Sequence, residues 1–219
     1  MQSIPSARPI LAALVVATAL GDGASRAAEP YASVAVGATW PFSRSASDAA
    51  SDYHFSDQFS GGFSGEIGVG VDFGAVRSEL SYSYERSQLK SYSDSSGSYA
   101  YSGGRQDSGS LLLSAYWDIP TNSRWTPYVG GGIGYGWQNQ GDSSDATASY
   151  SGYSTGGFGW QAKAGVSYGL SASSDLFAEV VYRGLSGFSA SDNSSNGSTT
   201  YNYASDNRLG FQIGSRWRF

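Results

Sequence analysis

The feature that most constrains this chain is a two-residue alternation of apolar and polar side chains that returns eight times along it. Successive side chains of a strand point to opposite faces, so each such segment is expected to be a strand between two chemically different surroundings. Over residues 31–42, Val34, Val36, Ala38, Trp40 and Phe42 share one face, with Ser33, Ala35, Gly37 and Thr39 opposite. Over 61–73, Phe63, Ile67, Val69, Val71 and Phe73 oppose Ser64, Glu66, Gly68, Gly70 and Asp72. Over 76–87, Leu80, Tyr82 and Tyr84 oppose Arg77, Glu79, Ser81 and Ser83. The pattern repeats over 108–119, 125–137, 158–170 and 175–185, the fourth segment of the chain having a less cleanly polar second face that includes Leu112 and Tyr116. It is clearest over 206–219, where Leu209, Phe211, Ile213, Trp217 and Phe219 stand against Arg208, Gln212, Arg216 and Arg218.

Segments of roughly 10–13 residues have the length of a tilted strand that crosses a bilayer. The connections alternate in length. Short turns fall at 74–75, 120–124 and 171–174, and long polar stretches at 43–60, 88–107, 138–157 and 186–205. That alternation suits a barrel with one tight end and one looped end, and an even strand count returns both ends of the barrel to the tight side. The expected fold is therefore all-β: an eight-stranded antiparallel transmembrane β-barrel with short periplasmic turns and four long extracellular loops.

The rival is a soluble eight-stranded barrel, whose apolar face would point inward. Two observations favour the membrane. Charged residues are only 14% of the chain while aromatics are 15%, a poor composition for a surface that meets water. The apolar faces also carry their large aromatics near strand ends, at Trp40, Tyr84, Trp117, Trp125, Trp137, Trp160 and Trp217. Girdles of this kind mark the two interfaces of a membrane barrel.

Residues 1–27 read as a secretory signal peptide: Arg8, an apolar run from Ile10 to Leu20, then small residues, with Ser25 and Ala27 suited to the −3 and −1 positions. The apolar run is too short to cross about 30 Å of hydrocarbon as a helix. Residues 28–219 are then the barrel. Without Arg8, Arg26 and Asp22, the 13 basic and 18 acidic residues become 11 and 17, a net −6. An acidic, aromatic-rich chain lacks the dense cations that phosphate backbones require, so nucleic acid is excluded as a partner. There is no cysteine, hence neither a disulfide framework nor thiolate chemistry.

The segment Thr126-Pro127-Tyr128-Val129-Gly130-Gly131-Gly132-Ile133-Gly134-Tyr135, the runs FGWQAKAGVSYGL and LFAEVVYRG, and the closing RLGFQIGSRWRF resemble the small outer-membrane β-barrel superfamily of the opacity proteins and the barrel domain of outer-membrane protein A. The resemblance implies residence in the bacterial outer membrane, with outer-membrane lipid and the assembly machinery as partners. It also implies that Phe211, Ile213, Trp217 and Phe219 form the carboxy-terminal insertion signal.

The second, inward face collects Glu66, Arg77, Glu79, Lys163, Glu179, Arg183, Arg208 and Arg216. In a narrow lumen these charges either pair as a structural plug or line an ion path. The glycines of 130–136 are not a phosphate loop, since no Lys-Ser/Thr follows and no helix begins there; they leave room for large neighbours such as Tyr128. His54, the only histidine, lies in an expected loop without a flanking motif, so a lipid-modifying barrel hydrolase of the Ser-His-acid kind is a distant reading. Asp142, Asp145, Asp192 and Asp206 lack calcium-loop spacing and read as solvated loop charge. No catalytic residue, metal ligand or cofactor is assigned. The long segments mix Tyr92, Tyr99, Tyr101, Tyr150, Tyr153, Tyr201 and Tyr203 with small polar residues. Such a surface either binds an unidentified ligand or continues the hairpins beyond the membrane. Two roles stand: a non-enzymatic structural or adhesive surface protein, and a small porin. Deleting Phe219 is expected to lower the amount of assembled, heat-modifiable barrel recovered in outer-membrane fractions; unchanged assembly would remove the residue from the signal.

Overall fold

The computed structural model describes residues 28–194 and 197–219; the expected signal peptide lies outside them. Eight long strands follow in order: β1 (Glu29–Pro41), β2 (His54–Asp72), β3 (Val76–Asp94), β4 (Arg105–Asp118), β5 (Trp125–Gln140), β6 (Tyr153–Gly169), β7 (Ser174–Leu185) and β8 (Asp206–Arg218). Each pairs antiparallel with its sequence neighbours. The ring closes between the first and the last, from Tyr31↔Arg218 to Pro41↔Arg208. A closed ring has no free edge, which is what a sheet immersed in hydrocarbon needs, because nothing in lipid can satisfy an unpaired backbone N–H or C=O.

The polarity of the barrel is inverted relative to a soluble protein. Val36, Ile67, Val69, Ile133 and Ile213 are more than half exposed on the outer wall. Glu66, Arg77, Lys163, Arg183, Arg208 and Gln212 are buried inside. Tyr31, Ala35, Leu112, Tyr116, Tyr128 and Phe177 supply the apolar part of the interior. Each of the large rings has its room made by a glycine directly across the ladder: Tyr31 faces Gly70, Tyr116 faces Gly130, Tyr128 faces Gly165 and Phe177 faces Gly214. A Cβ placed on Gly165 would stand 2.7 Å from Tyr128 Cζ and 2.6 Å from the Ala178 carbonyl oxygen, so no side chain larger than hydrogen fits there.

The tight ends are as short as expected. At the β2–β3 turn, Asp72 Oδ1 accepts from the Gly74 N–H at 2.8 Å, and Gly74 takes the positive φ of 99° that the turn requires. At the other end the sequence reading needs correction. The four polar stretches expected as loops are largely strand. β2 begins at His54, β3 runs to Asp94, β5 reaches Gln140 and β6 starts at Tyr153. The segments Arg44–Asp48, Phe188–Ser194 and Gly197–Tyr203 add further hairpin pairs. The inward side chains there are mostly polar as well, with Arg44, Asp57, Gln106 and Gln138 buried, so hydrophobic period two disappears although the backbone stays extended. His54 accordingly opens a strand. Between β2 and β3 the register shifts at Ser60/Phe63, and Gly61 and Gly62 form a bulge where a Cβ on Gly61 would come within 2.9 Å of the Trp40 ring.

A control for strand facing needs a lumenal position that tolerates substitution. Gly68 lies inward, but a Cβ there would be 2.7 Å from Ser33 Oγ and 2.8 Å from Glu79 Cδ, so even serine would disturb the interior. Ser110, which shares a hydrogen bond with Ser83 at 2.7 Å, is a milder lumenal position. Val69→Arg places a charge on the lipid face and is expected to cost on the order of 2–4 kcal/mol of folding free energy in lipid vesicles. Ser110→Ala should cost about 1 kcal/mol. The reverse order in equilibrium unfolding would mean the assigned faces are exchanged.

Candidate functional site: the charged lumen

Inward-pointing residues of five strands and one hairpin segment join in a single ladder of alternating charge. At its inner end Glu179 accepts from Tyr128 Oη at 2.7 Å and pairs with Lys163 Nζ at 2.9 Å. Lys163 also pairs with Glu66. Glu66 Oε2 meets Arg183 Nη2 at 2.6 Å, and Arg183 Nη1 meets Glu85 Oε1 at 2.5 Å. Glu85 passes to Arg208 at 2.9 Å, which reaches Asp206 at 2.6 Å. Asp206 passes to Arg44 at 3.2 Å, and Arg44 to Asp57 at 3.2 Å. Neutral donors and acceptors add to these pairs. Gln161 Oε1 accepts from Arg183, Gln106 Nε2 donates to Asp206 at 2.7 Å, and Arg44 donates to Tyr153 Oη at 2.9 Å.

A second set closes the short-turn rim. Arg77 binds Asp118 through two bonds of 2.6 and 2.9 Å, and Arg218 bridges Asp72 at 2.9 Å and Asp175 at 2.7 Å. Arg216 pairs with Asp175 at 3.3 Å. The Arg77 guanidinium lies 4.7 Å from the Tyr116 ring centroid and 5.0 Å from that of Tyr128, so aromatic faces complete its desolvated shell. Glu79 is different. It accepts from Ser33 Oγ at 2.9 Å and Tyr116 Oη at 3.2 Å rather than from a cation. The spaces left among these groups are small: about 10 Å³ beside Glu79 and Lys163, and about 20 Å³ beside Glu85 and Arg208. Each is on the order of one water molecule.

All eight charges singled out from the alternation lie in this lumen. Glu66, Lys163, Glu179, Arg183 and Arg208 belong to the ladder. Arg77 and Arg216 belong to the rim set, and Glu79 bridges hydroxyls between them. Several of their partners escape the sequence reading. Glu85, Asp118, Asp175 and Asp206 sit in the same two-residue register as the eight, so the alternation itself marks them as inward. Arg44 and Asp57 fall in a stretch that reads as loop, and nothing in their neighbourhood marks them as inward. Asp206 is not a solvated loop charge but a buried member of the ladder.

On the outer wall, Trp40, Tyr84, Trp137 and Trp160 gather toward the long-hairpin rim, whereas Trp117, Trp125 and Trp217 gather toward the short turns. Phe211, Ile213 and Trp217 face outward from β8, and the Phe219 N–H donates to the Pro30 carbonyl at 3.0 Å. The tyrosines of the hairpins pack on one another: Tyr92 with Tyr99 and Tyr101, Tyr101 with Tyr150, and Tyr203 with Tyr153, Tyr201 and Phe188. No hydrogen bond joins the His54 ring to a serine or a carboxylate among the described residues.

The family model of the outer membrane protein beta-barrel domain matches residues 10–219. No curated protein matches the chain. Among solved structures, the chain is similar to OprG of Pseudomonas aeruginosa (18% identity, TM-score 0.61, 89% of this chain and 97% of that one). It is also similar to a major outer membrane protein of Thermus thermophilus (12%, 0.58, 89% and 100%) and to Neisserial surface protein A (19%, 0.55, 89% and 100%).

The ladder makes an asymmetric prediction. Without Lys163, Glu66 keeps Arg183, but Glu179 keeps only a tyrosine hydroxyl. Lys163→Met is expected to destabilise the barrel by about 3–5 kcal/mol, since it strands a buried charge. Adding Glu179→Gln should recover more of the loss than adding Glu66→Gln, as a double-mutant cycle in detergent or lipid would measure. Equal recovery from both would place the cost elsewhere.

Proposed function

The chain belongs to the outer membrane protein β-barrel domain family, and on that footing we propose that it is a non-enzymatic surface protein whose plugged barrel is a rigid support for its extracellular hairpins. One observation carries the reading: the lumen is filled by an ion-pair ladder and a separate rim set of pairs, and the residual spaces beside them are about the size of a water molecule. An ion passing through would have to break several buried pairs in turn, and breaking even one by removal of a partner costs about 3–5 kcal/mol. A porin built on such a lumen would need the ladder to open as a unit.

What remains available to a partner is the hairpin surface. It holds an open hollow of about 600 Å³ lined by Ser45, Ser47, His54, Phe55, Asp94 and Asn202 among others. Hydroxyls, an amide, a carboxylate and an aromatic ring supply directional hydrogen bonds and contact area at low entropic cost, the means by which adaptable binding surfaces work. Planar-bilayer recordings distinguish the two roles. Wild-type protein is expected to give no stable conductance steps, whereas alanine at Glu66, Glu85 and Arg183 together should introduce them. Robust wild-type conductance whose ion selectivity changes in Lys163→Met, without loss of stability, would overturn the reading in favour of a porin.

A further inference from the structure

The cations of the barrel are sorted by position. Among the described residues, Arg44, Arg77, Lys163, Arg183, Arg208, Arg216 and Arg218 are all committed to interior carboxylates. Four remain outside. Arg124 sits in the short turn before β5. The other three, Arg86, Lys90 and Arg105, lie together on the outer face of β3 and β4, where Arg86 pairs across the ladder with Asp107 and Gln88 with Arg105.

Their height is fixed by the register. Tyr84 pairs with Gly109, and Gly109 with Trp137, which places this aromatic rung two residues below Arg86 and four below Arg105. At about 3.4 Å per residue, the backbone positions that carry the basic groups begin some 7 Å beyond Tyr84 along the strand, and Arg86 folds back onto the Tyr84 hydroxyl at the girdle. Below them the wall is apolar, with Leu80, Tyr82, Leu111 and Leu113 exposed. Lipid acyl chains cover that wall, so the basic groups stand where headgroups begin.

The cluster is held in place. Asp107 Oδ1 accepts from Arg86 Nε at 2.6 Å and from Tyr84 Oη at 2.6 Å, while its Oδ2 pairs with Arg105 Nε at 2.8 Å. Arg86 Nη2 donates to Tyr84 Oη at 2.6 Å, and its guanidinium lies 5.9 Å from the Phe63 ring centroid. One carboxylate thus orients two guanidiniums through their Nε edges and leaves a net positive charge, since the Arg105 side chain is 64% exposed and Lys90 is exposed beside it. The carboxylate of the neighbouring hairpin residue Asp142 accepts from the Gly152 N–H at 2.7 Å and has no ion pair with the cluster among the described residues. Arg86 keeps Nη1, and Arg105 both Nη groups, outside these bonds, and anchored guanidiniums suit the planar, multidentate geometry of a phosphate.

We propose that Arg86, Lys90 and Arg105 bind the phosphate groups of a phosphorylated glycolipid of the outer leaflet, whose acyl chains lie on the apolar wall of β3 and β4. The lipid is read twice, by charge at the girdle and by the hydrocarbon surface below it. The site is independent of whether the lumen conducts.

The test uses the full barrel refolded into phosphatidylcholine vesicles containing either bisphosphorylated lipid A or its dephosphorylated form, followed by native mass spectrometry of retained lipid and by heat-modifiable mobility. Wild-type protein is expected to retain the bisphosphorylated lipid and to gain thermal resistance from it. Retention should fall about fivefold for each basic residue replaced, in Lys90→Gln, Arg105→Gln and the triple variant with Arg86→Gln. Arg124→Gln should behave as wild type. The two single variants leave the Arg86–Asp107 pair between β3 and β4 intact, so loss of folding does not mimic loss of binding. Equal retention by the triple variant, equal retention of dephosphorylated lipid, or the same thermal gain from inorganic phosphate added to plain vesicles would each overturn the proposal, the last by reducing the cluster to a free-anion site.

Discussion

The seam between β1 and β8 is the contact on which the rest of the structure depends. A sheet in hydrocarbon cannot leave an edge unpaired, because each unsatisfied backbone group there costs several kcal/mol. Eleven paired positions from Tyr31↔Arg218 to Pro41↔Arg208 remove that edge. Closing the ring with only eight strands fixes a bore just wide enough for side chains. Everything inside follows from that width. Aromatic rings fit where the adjacent strand offers glycine, as at Tyr128 over Gly165, and charges fit where an opposite charge reaches them, as at Lys163 between Glu66 and Glu179, or where hydroxyls do, as at Glu79.

The interior ladder is therefore a consequence of confinement rather than an independent source of stability. A buried pair is worth little relative to an apolar filling of the same volume, but breaking one is expensive. What the ladder adds is specificity of register. A one-residue slip of any strand would turn its charges into lipid and its valines into the lumen. Glu85, Arg183 and Arg208 come from β3, β7 and β8, so one cluster checks the register of three strands at once.

Much of this was legible in the sequence, for a physical reason: each barrel strand lies between lipid and a polar lumen, and that difference is written residue by residue in Ile67 against Glu66 or Ile213 against Gln212. Strand number, facing and the short turns follow directly, and so do the charged lumen residues that share the register. The hairpin extensions were not legible. Tyr92, Ser93 and Asp94 continue β3, but both of their faces meet water or other tyrosines, so no alternation survives. Pairing partners were not legible either, because facing tells nothing of height. Lys163 could be assigned inward from its own segment, whereas its closeness to Glu179 rather than Glu79 depends on the stagger of neighbouring strands.

Height also organises the charge outside the lumen. The hairpin tips are acidic and their carboxylates act as turn caps. Burial opposes ionisation of Asp145, but the N–H groups of Thr147 and Ala148 at 2.7 and 2.9 Å, with the hydroxyls of Thr147 and Tyr150, outweigh it and bring its pKa down to about 2. Asp94 is lowered by the Tyr53 hydroxyl and by the N–H groups of Ser96 and Gly97. A carboxylate depressed in the folded state adds its stability above the ordinary carboxylate pKa and loses it only as pH falls through the lowered value. For Asp145 the loss runs from the ordinary carboxylate range down to about pH 2, so near neutral pH the tip keeps both its turn and its charge. Arg44 ties this acidic crown to the barrel. It pairs with Asp206 and Asp57, donates to Tyr153, and lies 4.8 Å from the Tyr203 ring centroid. The ladder that fills the lumen thus continues upward into the hairpins as their anchor, and the hairpin surface is held by the same chain of pairs.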